Sequence, residues 1–163
     1  MTDFEGLLKA LAGGKVDYIL VGGVAATAHG SSRLTQDIDI VYARSTDNLA
    51  RLVVALAPYA PYLRGAPPGL PFRWSKETLQ NGLNFTLATT MGDIDLLGEI
   101  AGGGNYEALL QDTIMLRLFG IECRCVTLRR LIQLKRAAGR PRDFDVIAEL
   151  EAILEESGDD NLP

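Results

Sequence analysis

Residues 16–42, VDYILVGGVAATAHGSSRLTQDIDIVY, decide the fold expected of this chain. The apolar run 16–21 predicts a buried strand that Gly22-Gly23 ends, and the Ala-rich residues 24–29 predict one or two helical turns. Polar and apolar residues alternate in Asp37–Tyr42, which is typical of a strand with one buried face. The stretch therefore predicts a strand, a glycine turn, a short helix and a second strand.

Two carboxylates lie on one side of this second strand. Side chains at positions i and i+2 of a strand share a face, so Asp37 and Asp39 project from the same side. Asp93 and Asp95 repeat the pattern on a later predicted strand, and the apolar residues between each pair are expected to face the core. If the two strands are neighbours, three of these carboxylates converge to within metal-bridging distance.

Converging carboxylates need a cation. Two of them about 4 Å apart repel by about 4 kcal/mol at an effective dielectric constant of about 20. Oxygen-only ligands select Mg²⁺ or Mn²⁺. The alternative interpretation is a pair of solvated strand faces, because an Asp-hydrophobic-Asp triplet is common. The upstream Gly22-Gly23 favours the metal site, because its backbone N–H groups can approach phosphates at a helix N-terminus.

These features together resemble the nucleotidyltransferase-fold superfamily. They are the strand, Gly22-Gly23, the short helix and the pattern Thr35-x-Asp37-h-Asp39-h, in which h is apolar. The chain is most similar to small bacterial nucleotidyltransferase-like proteins related to AbiEii-type toxins. The shared segments are Gly-Asp-Ile-Asp-Leu-Leu at 92–97, Leu-Ile-x-x-Lys at 131–135 and Gly-Arg-Pro-basic-Asp at 139–143. The resemblance covers residues 4 to 150.

The resemblance implies a fold, a metal and its ligands. The expected fold is α/β (α+β), with a mixed sheet flanked by helices and the C-terminal helices packed on the core. Asp37, Asp39 and Asp95 would bind Mg²⁺ or Mn²⁺, and Asp95 would also help to activate the attacking hydroxyl. Asp93 is expected to be a solvated turn residue instead.

The residues expected to bind the nucleotide are Gly22, Gly23, Ser31, Arg33, Lys135 and Arg140. By the resemblance, the two glycines contact the triphosphate, and Lys135 and Arg140 contact phosphates from the C-terminal helices. Arg33 is a candidate anion contact by its charge. For Ser31, hydrogen bonding within the loop is the open alternative.

One position departs from the family pattern. The relatives usually carry a second Asp three residues after the one that matches Asp143, and this chain has Val146 there. Asp145 lies one residue earlier, which turns it about 100° away on a helix. The departure bears on the orientation of Lys135 and Arg140.

The rest of the chain predicts alternating helices and hairpins. Helices are expected over 4–11, from Ser45 or Thr46 to about 57, over 106–110, from Thr127 to 138 and from Pro141 onward. Strand pairs are expected over 84–89 with 94–97 and over 114–119 with 121–126. Residues 58–71 hold five of the seven prolines and are expected to form an active-site flap or a packed surface loop. We expect one domain over 1–163, with a catalytic core at about 15–100 and a basic region at about 112–156.

Charge is unevenly distributed along the sequence. The net charge of −5 argues against non-specific nucleic-acid binding by the molecule as a whole. Residues 117–142 nevertheless carry eight basic residues against one acid, which indicates a localised anion site, whereas 149–160 is acidic. The chain opens without a secretory signal and offers no membrane span, so a cytoplasmic protein is expected.

Several other residues are expected to have structural roles. Cys123 and Cys125 are interpreted as buried free thiols and His29 as a structural histidine. Thr35 is expected to brace the loop before the second strand, and Trp74 to lie half-buried.

The first functional hypothesis is a metal-dependent nucleotidyltransferase. It would transfer a nucleoside monophosphate from a nucleoside triphosphate (NTP) such as ATP to a hydroxyl on RNA (including tRNA), on a protein or on a small molecule. The second hypothesis is a toxin–antitoxin component that binds a cognate toxin or antitoxin. The third is a catalytically silent member of the fold that binds nucleotide.

Overall fold

The computed structural model describes residues 1–157, which form an α/β structure with one mixed seven-stranded sheet. The helices are α1 (Phe4–Gly13), α2 (Gly22–Ala28), α3 (Thr46–Leu56), α4 (Lys76–Asn81), α5 (Tyr106–Leu109), α6 (Leu128–Ala138) and α7 (Phe144–Glu156). The strands are β1 (Tyr18–Val21), β2 (Asp37–Tyr42), β3 (Tyr62–Leu63), β4 (Asn84–Thr89), β5 (Gly92–Leu97), β6 (Thr113–Leu118) and β7 (Ile121–Val126). The expected fold class is confirmed.

The sheet has the strand order β3-β4-β5-β2-β1-β7-β6. β2 pairs antiparallel with β1 and parallel with β5, and β1 pairs parallel with β7. The hairpins β4–β5 and β6–β7 extend the sheet on either side of this centre. The sequence predicted both hairpins and both central strands, and their arrangement makes β2 and β5 the neighbours on which the convergence of carboxylates depends.

Local sequence signals fix several helix ends. The side chains of Ser45 and Thr127 accept hydrogen bonds from backbone N–H groups of the first turns of α3 and α6. Gly139 ends α6 in the left-handed conformation, with a φ of +65°. These boundaries were predicted from the sequence.

Helices pack on the sheet and on each other. α1 contacts α3, while α6 contacts α2 and α7. The inner faces of the two C-terminal helices are buried, through Leu128, Leu131 and Leu134 of α6 and through Ile147 and Leu150 of α7. The expected packing of the C-terminal helices on the core is therefore confirmed, and it carries α6 to the carboxyl end of β1.

Several boundaries differ from the sequence-based prediction. β1 begins at Tyr18, two residues late, and α2 begins at Gly22, so the glycine pair forms its first turn. Residues 58–71 are not one continuous loop, because Tyr62–Leu63 adds a strand to the edge of β4. Pro141 opens a 3₁₀ turn at Pro141–Asp143, and the helix itself begins at Phe144.

None of the helices formed by residues 1–157 has the length and apolar composition needed to span a membrane. Of the acidic segment noted at 149–160, residues 149–156 belong to the end of α7. Residues 158–160 lie outside the described part of the chain.

Candidate active site

Asp37 and Asp39 on β2 lie beside Asp93 and Asp95 on β5. The strands run parallel, with Asp37 opposite Asp93 and Asp39 opposite Asp95. Ile38, between the first two carboxylates, is fully buried. One carboxylate oxygen from each of Asp37, Asp39 and Asp95 lies within 4.8 Å of the other two. These three side chains, the acid cluster, converge as the spacing predicts.

The acid cluster crowds negative charge into a partly buried place. Burial, with the charges of Asp37 and Asp95, raises the pKa of Asp39 to about 8. Burial and the charge of Asp95 also raise the pKa of Asp37, against which the guanidinium of Arg64 acts. A divalent cation relieves this repulsion, and three carboxylates are a donor set of hard oxygens. The cluster therefore fits Mg²⁺ or Mn²⁺.

Gly22 and Gly23 bring the start of α2 close to the acid cluster. Gly22 has a φ of +68°, and a Cβ on it would lie 2.0 Å from Asp39 Oδ2. A Cβ on Gly23 would lie 2.5 Å from Thr35 Oγ1, whose hydroxyl donates a hydrogen bond to the carbonyl of Asp37 at 3.2 Å. Side chains at 22 and 23 would push the backbone away from β2. Thr35 braces the loop before that strand, as expected.

A cavity of about 390 Å³ opens beside the acid cluster. Its lining includes Gly22, Gly23, Ser31, Arg33, Asp37, Asp39, Asp95, Lys135 and Arg140. All nine residues assigned to the site from the sequence thus border one space, which we call the polar cavity. It brings the acid cluster together with glycine backbone and basic side chains.

Lys135 and Arg140 are held in place by Asp143. The Lys135 ammonium lies 3.8 Å from Asp143 Oδ1, and Arg140 Nε donates to Asp143 Oδ2 at 2.7 Å. Burial lowers the pKa of Lys135, and the charge of Asp143 works against that shift. Asp143 is itself buried. One buried carboxylate therefore anchors two cations that border the polar cavity.

No protein-family model and no curated protein matches the sequence of this chain. Its structure matches the lincomycin-bound crystal structure of the lincosamide antibiotic adenylyltransferase LnuA, with a TM-score of 0.62. The match covers 93% of this chain and 98% of that one, at 17% sequence identity. The chain has the nucleotidyltransferase fold.

Within this nucleotidyltransferase fold, Ser31 ties the loop before β2 to α7. Its hydroxyl donates to Glu149 Oε1 at 2.6 Å, and that of Ser32 donates to Glu149 Oε2 at 3.0 Å. The loop hydrogen bonding that the sequence left open for Ser31 is therefore present. Arg33 is about half exposed, and its guanidinium lies 3.9 Å from Asp145 Oδ2. Its charged end stays accessible to an anion.

Val146, where the family pattern has an acid, is buried and borders the polar cavity. Asp145 is largely exposed. Of the positions 143, 145 and 146, only Asp143 pairs with Lys135 and Arg140. The placement of these two cations therefore does not need an acid at 146.

Sequence reasoning missed Arg64. This residue follows β3 within the Pro-rich segment, and its guanidinium donates to Asp95 Oδ1 at 2.8 Å. It also lies 3.6 Å from Asp37 Oδ2 and 3.4 Å from Asp93 Oδ2. The only available signal was a basic residue inside a segment predicted to be an active-site flap or a packed surface loop. Sequence alone does not show that this segment adds a strand to the edge of the sheet.

The expectation for Asp93 was wrong. The residue lies in β5, opposite Asp37, and is ion-paired with Arg64. The hairpin turn is two residues tighter than predicted, because β5 begins at Gly92, which adopts a φ of +112° and pairs with Thr89. Asp93 thus lies on the strand beside Asp37 but is not a member of the acid cluster.

A second cavity, of about 350 Å³, meets the polar cavity at the acid cluster. Both are bordered by Gly22, Asp39, Asp95, Lys135 and Arg140. The other lining residues of the second are apolar: Val21, Leu97, Ile100, Ala101, Leu131, Leu134 and Ala138. We call it the apolar cavity. Asp95 faces both spaces, whereas Asp37 borders only the polar one.

Four residues that were given structural roles have them. The Nε2–H of His29 donates to the Val126 carbonyl at 2.8 Å. Cys123 and Cys125 are free and buried on β7, and burial raises the pKa of the Cys125 thiol to about 12. Half-buried Trp74 donates through Nε1 to the Val53 carbonyl on α3 at 3.0 Å. None of these side chains belongs to the acid cluster.

Proposed function

We propose that this protein is a metal-dependent nucleotidyltransferase that transfers the nucleoside monophosphate of an NTP to a hydroxyl group. The observation that carries the proposal is the convergence of Asp37, Asp39 and Asp95 within 4.8 Å of one another, beside a cavity bordered by glycine backbone and cations. The nucleotidyltransferase fold supports it. The resemblance to AbiEii-type proteins and the cytoplasmic location stay predictions.

The polar cavity suits a triphosphate. Gly22 and Gly23 expose backbone at the start of α2, and Arg33, Lys135 and Arg140 supply positive charge around it. Phosphoryl oxygens are bound by such amides and cations. Asp37, Asp39 and Asp95 would hold Mg²⁺ or Mn²⁺, which when bound neutralises charge developing on the phosphoryl oxygens. Catalysis would rest on positioning and electrostatic stabilisation.

The reaction releases a proton, and Asp95 is the residue proposed to receive or orient it. The acceptor oxygen forms a bond to the α-phosphorus, and the bond from that phosphorus to the bridging oxygen of pyrophosphate breaks. The acceptor hydroxyl loses a proton. Asp39 and Asp95 are the members of the acid cluster that border both cavities, and the sequence resemblance gives the proton role to Asp95. Asp95 would accept or orient that proton.

The apolar cavity favours a small-molecule acceptor. In a displacement at phosphorus, the attacking and leaving oxygens stand roughly in line. If pyrophosphate leaves in the polar cavity, the acceptor approaches from the apolar one, whose walls include Leu97, Ile100 and Leu131. A wall of this kind suits the apolar body of a small hydroxyl compound. LnuA, which has the same fold, is a lincosamide antibiotic adenylyltransferase.

The test of this proposal is a label-transfer assay. Purified protein is incubated with Mg²⁺ or Mn²⁺ and each of the four α-labelled NTPs. The acceptors are total RNA, protein alone, and a panel of small hydroxyl compounds that includes lincomycin. Label on a small molecule is expected. Label on RNA or protein would support the nucleotidyltransferase activity and contradict the proposal that the acceptor is a small molecule.

A variant pair tests the acceptor cavity. Ile100→Asp introduces a charge at a partly buried wall residue of the apolar cavity. It is expected to raise the KM for the acceptor at least about tenfold, because acceptor binding would bury an unpaired charge, which is costly. The KM for the NTP should change little. Leu110→Asp is the control, since Leu110 is an exposed leucine that borders neither cavity.

A second candidate function is nucleotide binding without transfer. The observation that favours it is that Asp143 already pairs with both Lys135 and Arg140, which reduces the charge they offer to phosphate. NTP binding without any label transfer would support this function. Binding to a cognate toxin or antitoxin also stays a prediction, and co-purification of such a partner tests it.

A further inference from the structure

A single row of residues across the sheet connects Arg64 to the acid cluster. The Arg64 N–H donates to the carbonyl of Thr86 on β4 at 3.0 Å. Thr86 stands opposite Asp95 on β5, which stands opposite Asp39 on β2. Residues directly opposite each other in a sheet share a face. The side chain of Arg64 therefore extends from the edge of β4 to Asp95, where its guanidinium donates to Oδ1 at 2.8 Å.

The guanidinium of Arg64 is held from several sides. Arg64 Nη2 donates hydrogen bonds to Asp95 Oδ1 and to the Leu87 carbonyl, each at 2.8 Å. Its Nη1 lies 3.6 Å from Asp37 Oδ2, and its Nε lies 3.4 Å from Asp93 Oδ2. Only 26% of the Arg64 side chain is exposed. The pairing of β3 with β4 fixes the backbone, so this charge has a defined place beside the carboxylates.

Arg64 and a divalent ion would draw on the same carboxylates. Two of the three members of the acid cluster, Asp37 and Asp95, are ion-paired with Arg64. A metal ion bound to the cluster would share these carboxylates with a neighbouring positive charge. Like charges a few ångströms apart in a partly buried site repel strongly. The ion pairs of Arg64 therefore weaken metal binding to the cluster, and a bound metal ion would weaken those ion pairs.

We propose that Arg64 is the resident counter-cation of the acid cluster, which stabilises the cluster without metal and weakens its affinity for a divalent ion. The proposal takes the metal site from the proposed function and goes beyond it, because it assigns a role to a residue outside the ligand set. Asp93 supports that role by pairing with the guanidinium from the far side of the cluster.

The experiment measures Mn²⁺ binding to nucleotide-free protein, from the electron paramagnetic resonance signal of free Mn²⁺. Arg64→Gln removes the charge and is expected to bind Mn²⁺ at least about tenfold more tightly than the unaltered chain. Arg51→Gln is the matched control, because Arg51 pairs with Asp17 at 3.3 Å away from the acid cluster. It should bind Mn²⁺ as the unaltered chain does. Without metal, Arg64→Gln should also have a lower Tm than the unaltered chain. Saturating Mn²⁺ should reduce this difference in Tm.

Each other outcome is decisive. Equal or weaker Mn²⁺ binding by Arg64→Gln would overturn the role of Arg64 and leave the metal site in place. Absence of binding to both proteins would overturn the metal site, and with it the proposed function. If Arg64→Gln does not fold without metal, recovery of its circular dichroism in Mn²⁺ supports the proposal, and failure to recover contradicts it. Asp39→Asn added to Arg64→Gln should abolish the tight binding, which locates the ion.

Discussion

Gly22 and Asp39 are in such close approach that a Cβ atom on the glycine would lie 2.0 Å from the carboxylate Oδ2 of the aspartate. The two residues belong to α2 and β2, and Val21, just before Gly22, stands opposite Asp39 in the sheet. The glycine also has a φ of +68°, which side-chain-bearing residues rarely adopt. The absence of a side chain at 22 thus allows the backbone at the start of α2 to lie against a carboxylate of the acid cluster.

Gly22→Ala should destabilise the protein and displace Asp39. The positive φ and the clash should together reduce the free energy of unfolding by about 1–3 kcal/mol. Urea denaturation measures this change, and Mn²⁺ binding should weaken in the same variant. Gly13→Ala is the control, because a Cβ there meets no atom within 4 Å. Equal stability of the two variants would contradict the account.

Replacing a member of the acid cluster should stabilise the metal-free protein. Asp39→Asn is expected to raise the free energy of unfolding in EDTA by about 1–3 kcal/mol, because it removes a carboxylate whose pKa is raised by burial and by its neighbours. Asp37→Asn should give a smaller gain, since Arg64 already offsets part of that charge. Both variants should lose the increase in Tm that Mg²⁺ gives. A lower Tm in EDTA with an intact Mg²⁺ response would remove the residue from the metal site.

The pH dependence of metal-free stability should report the same crowding. The pKa of Asp39 is about 8 in the folded protein, against about 3.9 in an unfolded chain. Between these values the folded state holds a proton that the unfolded state has lost. The stability that this proton confers is complete below about pH 4 and is lost progressively as the pH rises to about 8. Denaturation in EDTA at several pH values should therefore show a fall in stability that is smaller in Asp39→Asn, and equal slopes in both proteins would refute this assignment.

Lys135→Ala should weaken NTP binding and leave metal binding unchanged. The ammonium borders the polar cavity and is anchored by Asp143 at 3.8 Å, so its loss removes a preorganised phosphate contact. We expect the Kd for a non-hydrolysable NTP to rise by about tenfold or more, as for loss of a charged hydrogen bond. Arg136→Ala is the control, because Arg136 on the same helix pairs with Glu151 at 2.7 Å and does not border the cavity. Isothermal titration calorimetry on both variants decides the matter.

The acid cluster was predictable because its geometry follows from local spacing. The period of a strand places Asp37 and Asp39 on one face, and a second Asp-x-Asp strand needed only to be the neighbour of the first. Residues such as Thr127 and Gly139 set helix ends by local hydrogen bonding and backbone conformation, which the sequence displays directly.

The role of Arg64 was beyond sequence reasoning because it depends on contacts between distant segments. Its segment looks like a loop by composition, and the strand Tyr62–Leu63 exists only because the edge of β4 is available. Asp93 was misplaced for a related reason, since strand pairing extends two residues further than predicted, to Gly92, and takes Asp93 out of the turn. The bond from Ser31 to Glu149 joins positions that local patterns do not relate.

The central claim is that the acid cluster supports transfer of a nucleoside monophosphate. Its most direct test follows label from α-labelled NTPs into an acceptor in the presence of Mg²⁺, with the unaltered chain, Asp39→Asn and Asp47→Asn compared in parallel. Asp47 is exposed at the start of α3, so its variant is a matched change of charge away from the cluster. The account predicts label transfer by the unaltered chain and by Asp47→Asn, and its loss in Asp39→Asn. Transfer that persists in Asp39→Asn, or that does not depend on a divalent cation, would contradict it.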